Sequence, residues 1–259
     1  MDKIILNVRD IRKLNLIGEG SESQVYDYNN QALKLFSNRI INDDIKQNKL
    51  NKIGKLEELN LDKFIIPNIL IYNSCDDFIG YIMKKINIEY DLYDFLKSEK
   101  FTLDKKINYL KKYNDLLKIA HKNNITLVDA NFWNCLISND DLFFIDTDNY
   151  KIGNLECDTF PTNFKTIYLI LNQKLPTYDK NYDNFQIGIQ IFSKLIDLGL
   201  GQYMEYPKIL KTLDLDKKAY EYFENILLPY EDKMYIDDNL DNIASNVKTH
   251  IKKNQDFNF

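Results

Sequence analysis

Short apolar runs separated by polar turns fill the first third of the chain and predict a β-sheet there. Asn29 and Asn30 lie between two such runs and predict a tight hairpin turn. The polar residues 73–77 predict a second hairpin turn. The predicted strands cover residues of about 12–18, 24–28, 31–36, 66–72 and 78–86. A polar helix is predicted over about 42–60, between the third and fourth strands.

Helical spacing dominates the rest of the chain. A short helix is predicted over Tyr90–Lys97, and a longer one over Leu103–Asn123 follows Thr102, a residue type that caps helices. The stretch Asp183–Leu198 is apolar almost all round, which is typical of a helix buried in the centre of a domain. Three further helical stretches are predicted, ending near Lys253. Strands followed by helices indicate an α+β fold.

Three polar residues surround a predicted hairpin in the middle of the chain: Asp129, Asn134 and Asp146. The segments Cys-Leu-Ile-Ser and Leu-Phe-Phe-Ile form its strands, and Asn-Asp-Asp forms its turn. Such a hairpin places Asn134 beside Asp146, with Asp129 on the loop that leads in. Capping alone would explain these residue types, but a base and two metal ligands are also what phosphoryl transfer from a nucleotide requires.

A glycine pair, Gly18 and Gly20, follows the first predicted strand and precedes Val25 on the next. Glycines let the backbone approach phosphate groups closely. Lys34 lies on the third predicted strand, where an ammonium group can pair with phosphate oxygens. A glycine pair alone is more often a simple turn, and a lysine on a strand alone is more often a solvated residue. Their order along the chain, ahead of the central hairpin, favours a nucleotide site.

Composition favours a cytoplasmic enzyme. A chain of 259 residues with 44% hydrophobic residues fits one two-lobed unit or two small domains. No apolar run approaches the length of a membrane span, and the N-terminus lacks the signal-peptide pattern. Three cysteines without a Cys-x-x-Cys motif favour a reducing compartment and argue against zinc. A net charge of −5 with dispersed lysines argues against nucleic acid as a partner.

This ordered set of motifs resembles the protein-kinase-like superfamily, in an atypical bacterial or phage-type form, from about Leu14 to Phe192. The resemblance implies one domain over residues 1–259 with a two-lobed α+β fold. A small antiparallel-sheet N-lobe would cover about 1–86, and a mainly helical C-lobe about 87–259. It also implies that the chain binds ATP and Mg²⁺ and transfers a phosphoryl group to a hydroxyl acceptor.

The resemblance also implies a role for each matched residue. Asp129 would be the base, Lys34 would hold phosphate oxygens, and Asn134 and Asp146 would ligate magnesium. Met83 would take the position beside the nucleotide base. The residues implied to bind the nucleotide are Gly18, Glu19, Gly20, Ser21, Val25, Ala32, Lys34, Met83 and Lys85.

Several positions depart from the pattern of protein kinases. Val128 replaces the Arg of His-Arg-Asp, and Asn131 replaces the Lys that Ser/Thr kinases place two residues after the catalytic Asp. Asp146-Thr147-Asp148 stands in place of Asp-Phe-Gly, and Phe160-Pro161-Thr162 departs from Ala-Pro-Glu. The first expectation is a protein serine/threonine kinase, the second a small-molecule hydroxyl kinase. A pseudokinase that acts as a nucleotide-binding or interaction module is the alternative from another class.

Two buried contacts are also expected. The helix glutamate that should pair with Lys34 is either Glu57 or Glu58, while another register places Gln47 or Asn48 there and removes the ion pair. His121 is expected to hydrogen-bond a buried carboxylate, with Asp183 as its partner.

Overall fold

The computed structural model describes residues 1–20, 22–37, 42–158, 164–165, 167–169 and 175–196, with the side chains of 192–196 left aside. Its architecture is mixed α+β. The strands are β1 (Asp2–Ile5), β2 (Leu16–Glu19), β3 (Ser23–Tyr28), β4 (Gln31–Phe36), β5 (Pro67–Tyr72), β6 (Phe78–Lys84), β7 (Tyr90–Asp91), β8 (Ile125–Thr126), β9 (Cys135–Ser138), β10 (Asp141–Phe144) and β11 (Lys151–Ile152). The helices are α1 (Val8–Ile11), α2 (Asp43–Leu59), α3 (Leu92–Lys97), α4 (Leu103–Lys122) and α5 (Lys180–Ile196).

The first six strands form one sheet in the order β1-β5-β6-β4-β3-β2. All neighbours are antiparallel except β1 and β5, which run parallel. The predicted Asn29–Asn30 turn is confirmed, since both residues have positive φ (50° and 61°) between the paired strands β3 and β4. The predicted turn at 73–77 is confirmed as well, because the Asn73 side chain accepts from two backbone N–H groups within it.

The start of the sheet differs from the prediction. Strand β2 begins at Leu16 rather than near residue 12, and it is preceded by the unpredicted elements β1 and α1. The Asn7 side chain accepts from the Arg9 backbone and starts a helix of only one turn. Four-residue elements are too short to show a clear period in the sequence, so the pattern did not reveal them.

Both faces of the six-stranded sheet are covered. Side chains of β4 alternate between them: Leu33 and Leu35 join one apolar cluster, whereas Ala32 and Phe36 join another. Lys34 is on the second face, which packs against α2 and against Phe143 of β10. The pleat therefore directs one lysine into the interior between the sheet and α2.

The predicted helices that fall on described residues are confirmed, with small shifts at their ends. Thr102 caps α4 through its hydroxyl, and the apolar face of α4 is buried. The short helix α3 begins at Leu92 because Asp91 caps it, so Tyr90 and Asp91 pair with β9 as a strand instead. Helix α5 begins at Lys180 and is buried from Tyr182 to Ile191.

The predicted central hairpin is confirmed as β9 and β10. Its turn is shorter than expected. Asn139 and Asp140, with φ of 49° and 62°, form a two-residue turn, and Asp141 already pairs with Ser138. Strand β7 extends this hairpin to three strands, and β8 pairs with β11.

Several predicted features lie outside the described residues: Ser21, Phe160-Pro161-Thr162 and the helical stretches beyond 196. Within the part of the chain that the structure describes, no helix has both the length and the apolar character needed to cross a membrane.

Candidate functional site

The Lys34 ammonium lies between two aspartates that follow the central hairpin. Its Nζ is 3.0 Å from Asp146 Oδ1 and 3.0 Å from Asp148 Oδ1. Burial alone would lower the pKa of Lys34, but the two carboxylates outweigh it and raise the pKa well above its usual value. Lys34 is therefore a fixed, fully charged cation, brought together with residues more than a hundred positions away in the chain.

Asp148 is wholly buried and has both of its oxygens occupied. Oδ1 accepts from Lys34 and from the Tyr81 hydroxyl (2.7 Å), and Oδ2 accepts from Lys49 Nζ (2.7 Å). Burial would raise the pKa of this carboxyl, yet Lys34 and Lys49 hold it far below its usual range. Asp148 thus stays ionised inside the protein.

The predicted helix partners of Lys34 were wrong. Glu57, Glu58, Gln47 and Asn48 lie off the buried face of α2, and each of them makes other contacts. Glu57 pairs with the N-terminal amine of Met1, Glu58 with Lys55, Gln47 with Asn51, and Asn48 with Glu156 and Asp158. Lys34, Asp146 and Asp148 form a cluster that we call the Lys34 cluster. The residue of α2 that contacts it is Lys49, a cation rather than a glutamate.

Two lysines on the apolar stripe of α2 were missed by the sequence analysis. Lys49 and Lys52 share their helix face with Ile53 and Leu56, and all four are buried. Lys52 Nζ lies 2.6 Å from Asp158 Oδ2, and burial lowers its pKa. Lysines at helical spacing on an otherwise apolar face are a usable signal, because buried ammonium groups require carboxylate partners elsewhere in the fold.

Asp146, which follows β10, has an unusual backbone conformation. Its φ of 55° lies in the left-handed region, at the start of a 3₁₀ turn over Thr147–Asn149. The Ile145 N–H donates to the Asn134 carbonyl (3.0 Å), so the hairpin does hold the backbones of Asn134 and Asp146 close together. The Asp146 side chain is 39% exposed, in contrast to that of Asp148. Asp146 is therefore the aspartate of this cluster that a ligand from solvent can reach.

Asp129 lies next to Asn134, as the spacing predicted. Asn134 Nδ2 donates to Asp129 Oδ2 (3.1 Å) and weakly to its carbonyl (3.3 Å). Burial raises the pKa of Asp129 to about 6, against the lowering effect of that hydrogen bond. A carboxylate with a raised pKa accepts a proton more readily near neutral pH than an ordinary aspartate does.

A strained turn presents Asp129. The Asp129 N–H donates to the Leu127 carbonyl (2.7 Å), which makes Val128, with φ of 63°, the centre of a three-residue turn. Positive φ is rare for a β-branched residue and is typical of functional sites when the surrounding structure enforces it. Asp183 enforces it here by accepting from the N–H groups of Leu127 (2.7 Å) and Val128 (2.9 Å).

The expected contact between His121 and Asp183 is confirmed, with 2.9 Å between Nε2 and Oδ2. Burial raises the pKa of Asp183, although His121 and the two backbone donors act in the opposite direction.

Two buried glutamines on α5 also hydrogen-bond the loop that carries Asp129. The sequence analysis did not predict this role. Gln186 accepts from the Ala130 N–H (3.1 Å) and donates to the Val128 carbonyl. Gln190 accepts from the Phe132 N–H (3.0 Å) and donates to the Ala130 carbonyl (2.8 Å). With Asp183 they form a polar ladder along one face of an otherwise apolar helix, and that ladder fixes the loop that carries Asp129.

The predicted glycine loop lies at the β2–β3 hairpin. Gly18 pairs with Val25, and the Gly20 N–H donates to the Ser23 carbonyl (2.9 Å). Glu19 is exposed and accepts from Gln24. Val25 is also the register partner of Lys34 on β4, so the loop and the lysine lie on adjacent strands.

The other predicted nucleotide residues lie on β4, on β6 and directly after β6. Ala32 and Met83 are paired across these strands and are both buried in the same apolar cluster. The Lys85 ammonium pairs with Asp27 on β3, so its side chain is engaged within the sheet. Lys85 can therefore offer a nucleotide its backbone rather than its charge.

Trp133 lies beside this site, directly before Asn134. Trp133 is 49% exposed, and its ring packs against that of Tyr93 of α3 with centroids 4.1 Å apart and planes tilted by 32°. Trp133 therefore packs against the fold and is partly exposed to solvent beside Asn134.

Comparison with known proteins adds no assignment to this geometry. No protein-family model matches the chain, and no curated protein matches it significantly.

Proposed function

We propose that this chain is a Mg-ATP-dependent phosphotransferase of the protein-kinase-like type, acting on a serine or threonine hydroxyl of a protein. The observation that carries the proposal is the meeting of Lys34 with Asp146, 3.0 Å apart across 112 positions of the chain. The motif order had assigned these two residues to phosphate and magnesium. The contact between Asn134 and Asp129 supports the same assignment, since it brings the remaining two members of the set together.

The two-lobed arrangement is part of this proposal. Two apolar clusters belong mainly to the six-stranded sheet, and a third joins α3, α4, the central hairpin and α5. The candidate residues lie where these parts adjoin, because Lys34 comes from the sheet and Asp146 from the segment after the hairpin. A cleft between a sheet and a helical part is a suitable place for a nucleotide.

The roles follow from charge and position. Lys34 would bind phosphate oxygens, and the loop from Gly18 to Ser23 would cover them. Asp129 would orient the acceptor hydroxyl and take its proton as the hydroxyl oxygen bonds to the γ-phosphorus, while the bond to the ADP oxygen breaks. The raised pKa of Asp129, about 6, suits this role, because a base works best when its pKa is near the working pH.

The donor set fits magnesium. Mg²⁺ prefers oxygen ligands and is usually held by one or two carboxylates together with phosphates and water. Asp146 supplies a half-exposed carboxylate, and Asn134 uses its Nδ2 on Asp129, which leaves its amide oxygen for a cation. The described residues contain no group of three or more His, Cys, Asp or Glu side chains placed to hold a metal, so the nucleotide would complete the shell. The ion, when bound, neutralises charge on the phosphates.

A small-molecule hydroxyl is the second candidate acceptor. Asn131 takes the position where Ser/Thr kinases place a lysine, and its side chain accepts from the Trp133 N–H (3.2 Å) to cap a 3₁₀ turn. This residue therefore serves the local fold and brings no positive charge toward an acceptor. Trp133, which is exposed beside Asn134 and packs on the half-buried Tyr93, offers an aromatic surface instead.

Two measurements test the proposal. Mg-ATP should raise the melting temperature of the wild type, because a ligand that binds the folded state stabilises it, and Lys34→Ala should remove the rise. Incubation with γ-labelled ATP, magnesium and a cell extract should label an acceptor, and Asp146→Ala should abolish the label. Nucleotide binding without transfer would favour the pseudokinase, and the absence of both would reject the proposal.

A further inference from the structure

One carboxylate joins three parts of the chain beneath the candidate site. Asp148 accepts from Lys34 on β4, from Tyr81 on β6 and from Lys49 on α2. Asp148 and Lys49 are almost wholly buried, with side chains 0% and 1% exposed. In the resembled family a helix glutamate is expected to hold the strand lysine. Here the helix supplies a cation, and the carboxylate comes from the segment after the central hairpin.

Asp148 and Asp146 both contact Lys34, but they are not equivalent. Asp146 is 39% exposed and is the proposed magnesium ligand. A carboxylate bound to a divalent cation attracts an ammonium group less strongly, because much of its charge is neutralised. Asp148 is already saturated by three donors inside the protein. Asp148 can therefore keep Lys34 in place when Asp146 binds a metal ion.

We propose that Asp148 is the positioning residue of Lys34, itself held by Lys49, and that this pair replaces the missing helix glutamate. The proposal rests on the proposed function, since it concerns how Lys34 is presented to nucleotide phosphates. The arrangement also sets the net charge beside the proposed phosphate site. Lys34 and Lys49 share Asp148, so these three residues carry one net positive charge once Asp146 binds metal. Asp158, 3.8 Å from Lys49, is balanced by its closer pairing with Lys52 at 2.6 Å. The net positive charge favours a triphosphate.

The same helix provides a matched control. Lys52 and Asp158 form a second buried ion pair, 2.6 Å apart, with side chains 0% and 6% exposed. Lys52 lies three residues after Lys49 on the same face of α2, and its hydrogen bond goes to Asp158 rather than to the Lys34 cluster. Asp158 Oδ2 is also 3.8 Å from Lys49 Nζ, which is beyond hydrogen-bond distance. Removal of this pair therefore disturbs the packing of α2 in a similar way and leaves the hydrogen bonds of Lys49 and Lys34 to Asp148 in place.

The experiment compares four forms of the full chain: the wild type, Asp148→Asn, the double variant Asp148→Asn/Lys49→Met and the control double variant Lys52→Met/Asp158→Asn. The dissociation constants of Mg-ATP and of adenosine are measured by thermal shift titration. Each double variant removes one buried cation with one buried anion, so neither leaves an uncompensated charge. The Asp148→Asn/Lys49→Met variant decides the outcome if Asp148→Asn does not fold.

Both Asp148 variants should bind Mg-ATP about tenfold to a hundredfold more weakly, as expected for loss of a charge-assisted hydrogen bond. Their affinity for adenosine should be unchanged, because adenosine has no phosphate for Lys34. The control double variant should bind both ligands like the wild type. Equal losses for both ligands, or an equal loss in the control, would show a purely structural role and overturn the inference.

Failure of the proposed function gives a different result. In that case the wild type itself would not respond to Mg-ATP, and the positioning role would be rejected with it. Normal Mg-ATP binding by the wild type and by Asp148→Asn/Lys49→Met would reject the positioning role alone.

Discussion

Gly80 of β6 lies against the backbone of Lys34 on β4, and a Cβ built on Gly80 would be 2.1 Å from the Lys34 carbonyl oxygen. The same Cβ would be 3.2 Å from the Leu35 Cα. Backbone atoms cannot move aside as the end of a flexible side chain can. The close approach of these two strands therefore depends on glycine, and it sets the position of the strand that carries Lys34.

We predict that Gly80→Ala destabilises the protein by about 1–3 kcal/mol, the usual effect of overpacking. The midpoint of urea unfolding measures this change. Mg-ATP affinity should fall as well, because the clash moves β4 at Lys34.

Gly54→Ala is the control for that substitution. Gly54 is exposed in the interior of α2, and an added Cβ there meets nothing within 4 Å. Alanine should stabilise the helix by up to about 1 kcal/mol. If both substitutions shift the midpoint upward, β4 and β6 do not approach as closely as described.

The raised pKa of Asp129 gives a second prediction, on stability and pH. Burial raises this pKa from the ordinary 3.8 to about 6. Between these values the folded state binds a proton that the unfolded state has lost, so stability falls as pH rises from 4 to 6. Above pH 6 the carboxylate is charged in both states and the full penalty remains. Asp129→Asn should therefore stabilise the protein at pH 7.5, by on the order of 2 kcal/mol, and have no effect near pH 4.

Thermal unfolding in EDTA without nucleotide measures this difference at each pH. Asp141→Asn is the control of opposite sign, because a hydrogen bond from Lys63 lowers the pKa of Asp141. Its removal should destabilise slightly above pH 4 and not below. A destabilising effect of Asp129→Asn at pH 7.5 would contradict the buried, strained position of that carboxylate.

Contacts that depend on local pattern were predictable from the sequence. The Asn29–Asn30 turn follows from two residues that tolerate positive φ between alternating strands. The central hairpin follows from two apolar runs around a polar turn, and its closure places Asn134 near Asp146 whatever the rest of the chain does. The contact of His121 with Asp183 came from the resemblance rather than from local pattern.

The Lys34 partner was not predictable in the same way. The four residues considered on α2 were either anions, Glu57 and Glu58, or neutral amides, Gln47 and Asn48. The helix instead presents two cations, Lys49 and Lys52. Which carboxylate a buried lysine meets depends on how distant elements pack. The sequence shows Asp148 within an Asp-Thr-Asp triplet, but its 114-residue separation from Lys34 hides the pair.

A third prediction separates the two candidate catalytic aspartates. Asp146→Asn should weaken Mg-ATP binding, because the proposed magnesium site would lose its carboxylate. Asp129→Asn should bind Mg-ATP like the wild type and lower the rate of phosphoryl transfer by about 10²–10⁴-fold, the usual contribution of a general base. Titration calorimetry gives the affinities, and transfer of labelled phosphate gives the rates. Full transfer by Asp129→Asn would remove Asp129 from the role of base.

The last prediction concerns the polar ladder of α5. Gln186 is wholly buried, and its amide satisfies the Ala130 N–H and the Val128 carbonyl on either side of Asp129. Gln186→Ala leaves both backbone groups without this partner inside the protein. We expect a loss of about 2–4 kcal/mol from the unfilled space and the unsatisfied groups. Transfer should also be slower, because the loop that carries Asp129 loses one of its supports and depends on the remaining bonds to Asp183.

Gln47→Ala provides the matched control, since Gln47 is exposed on α2 and bonds to Asn51 on the same helix. Its unfolding midpoint and transfer rate should stay close to those of the wild type, because surface substitutions usually change stability by less than about 0.5 kcal/mol. Urea unfolding and transfer of labelled phosphate are measured on both variants. If Gln186→Ala lowers stability but leaves the rate per folded molecule unchanged, the ladder supports the fold without positioning Asp129. If it changes neither, the strained turn is held by Asp183 alone, whose carboxylate accepts from Leu127 and Val128.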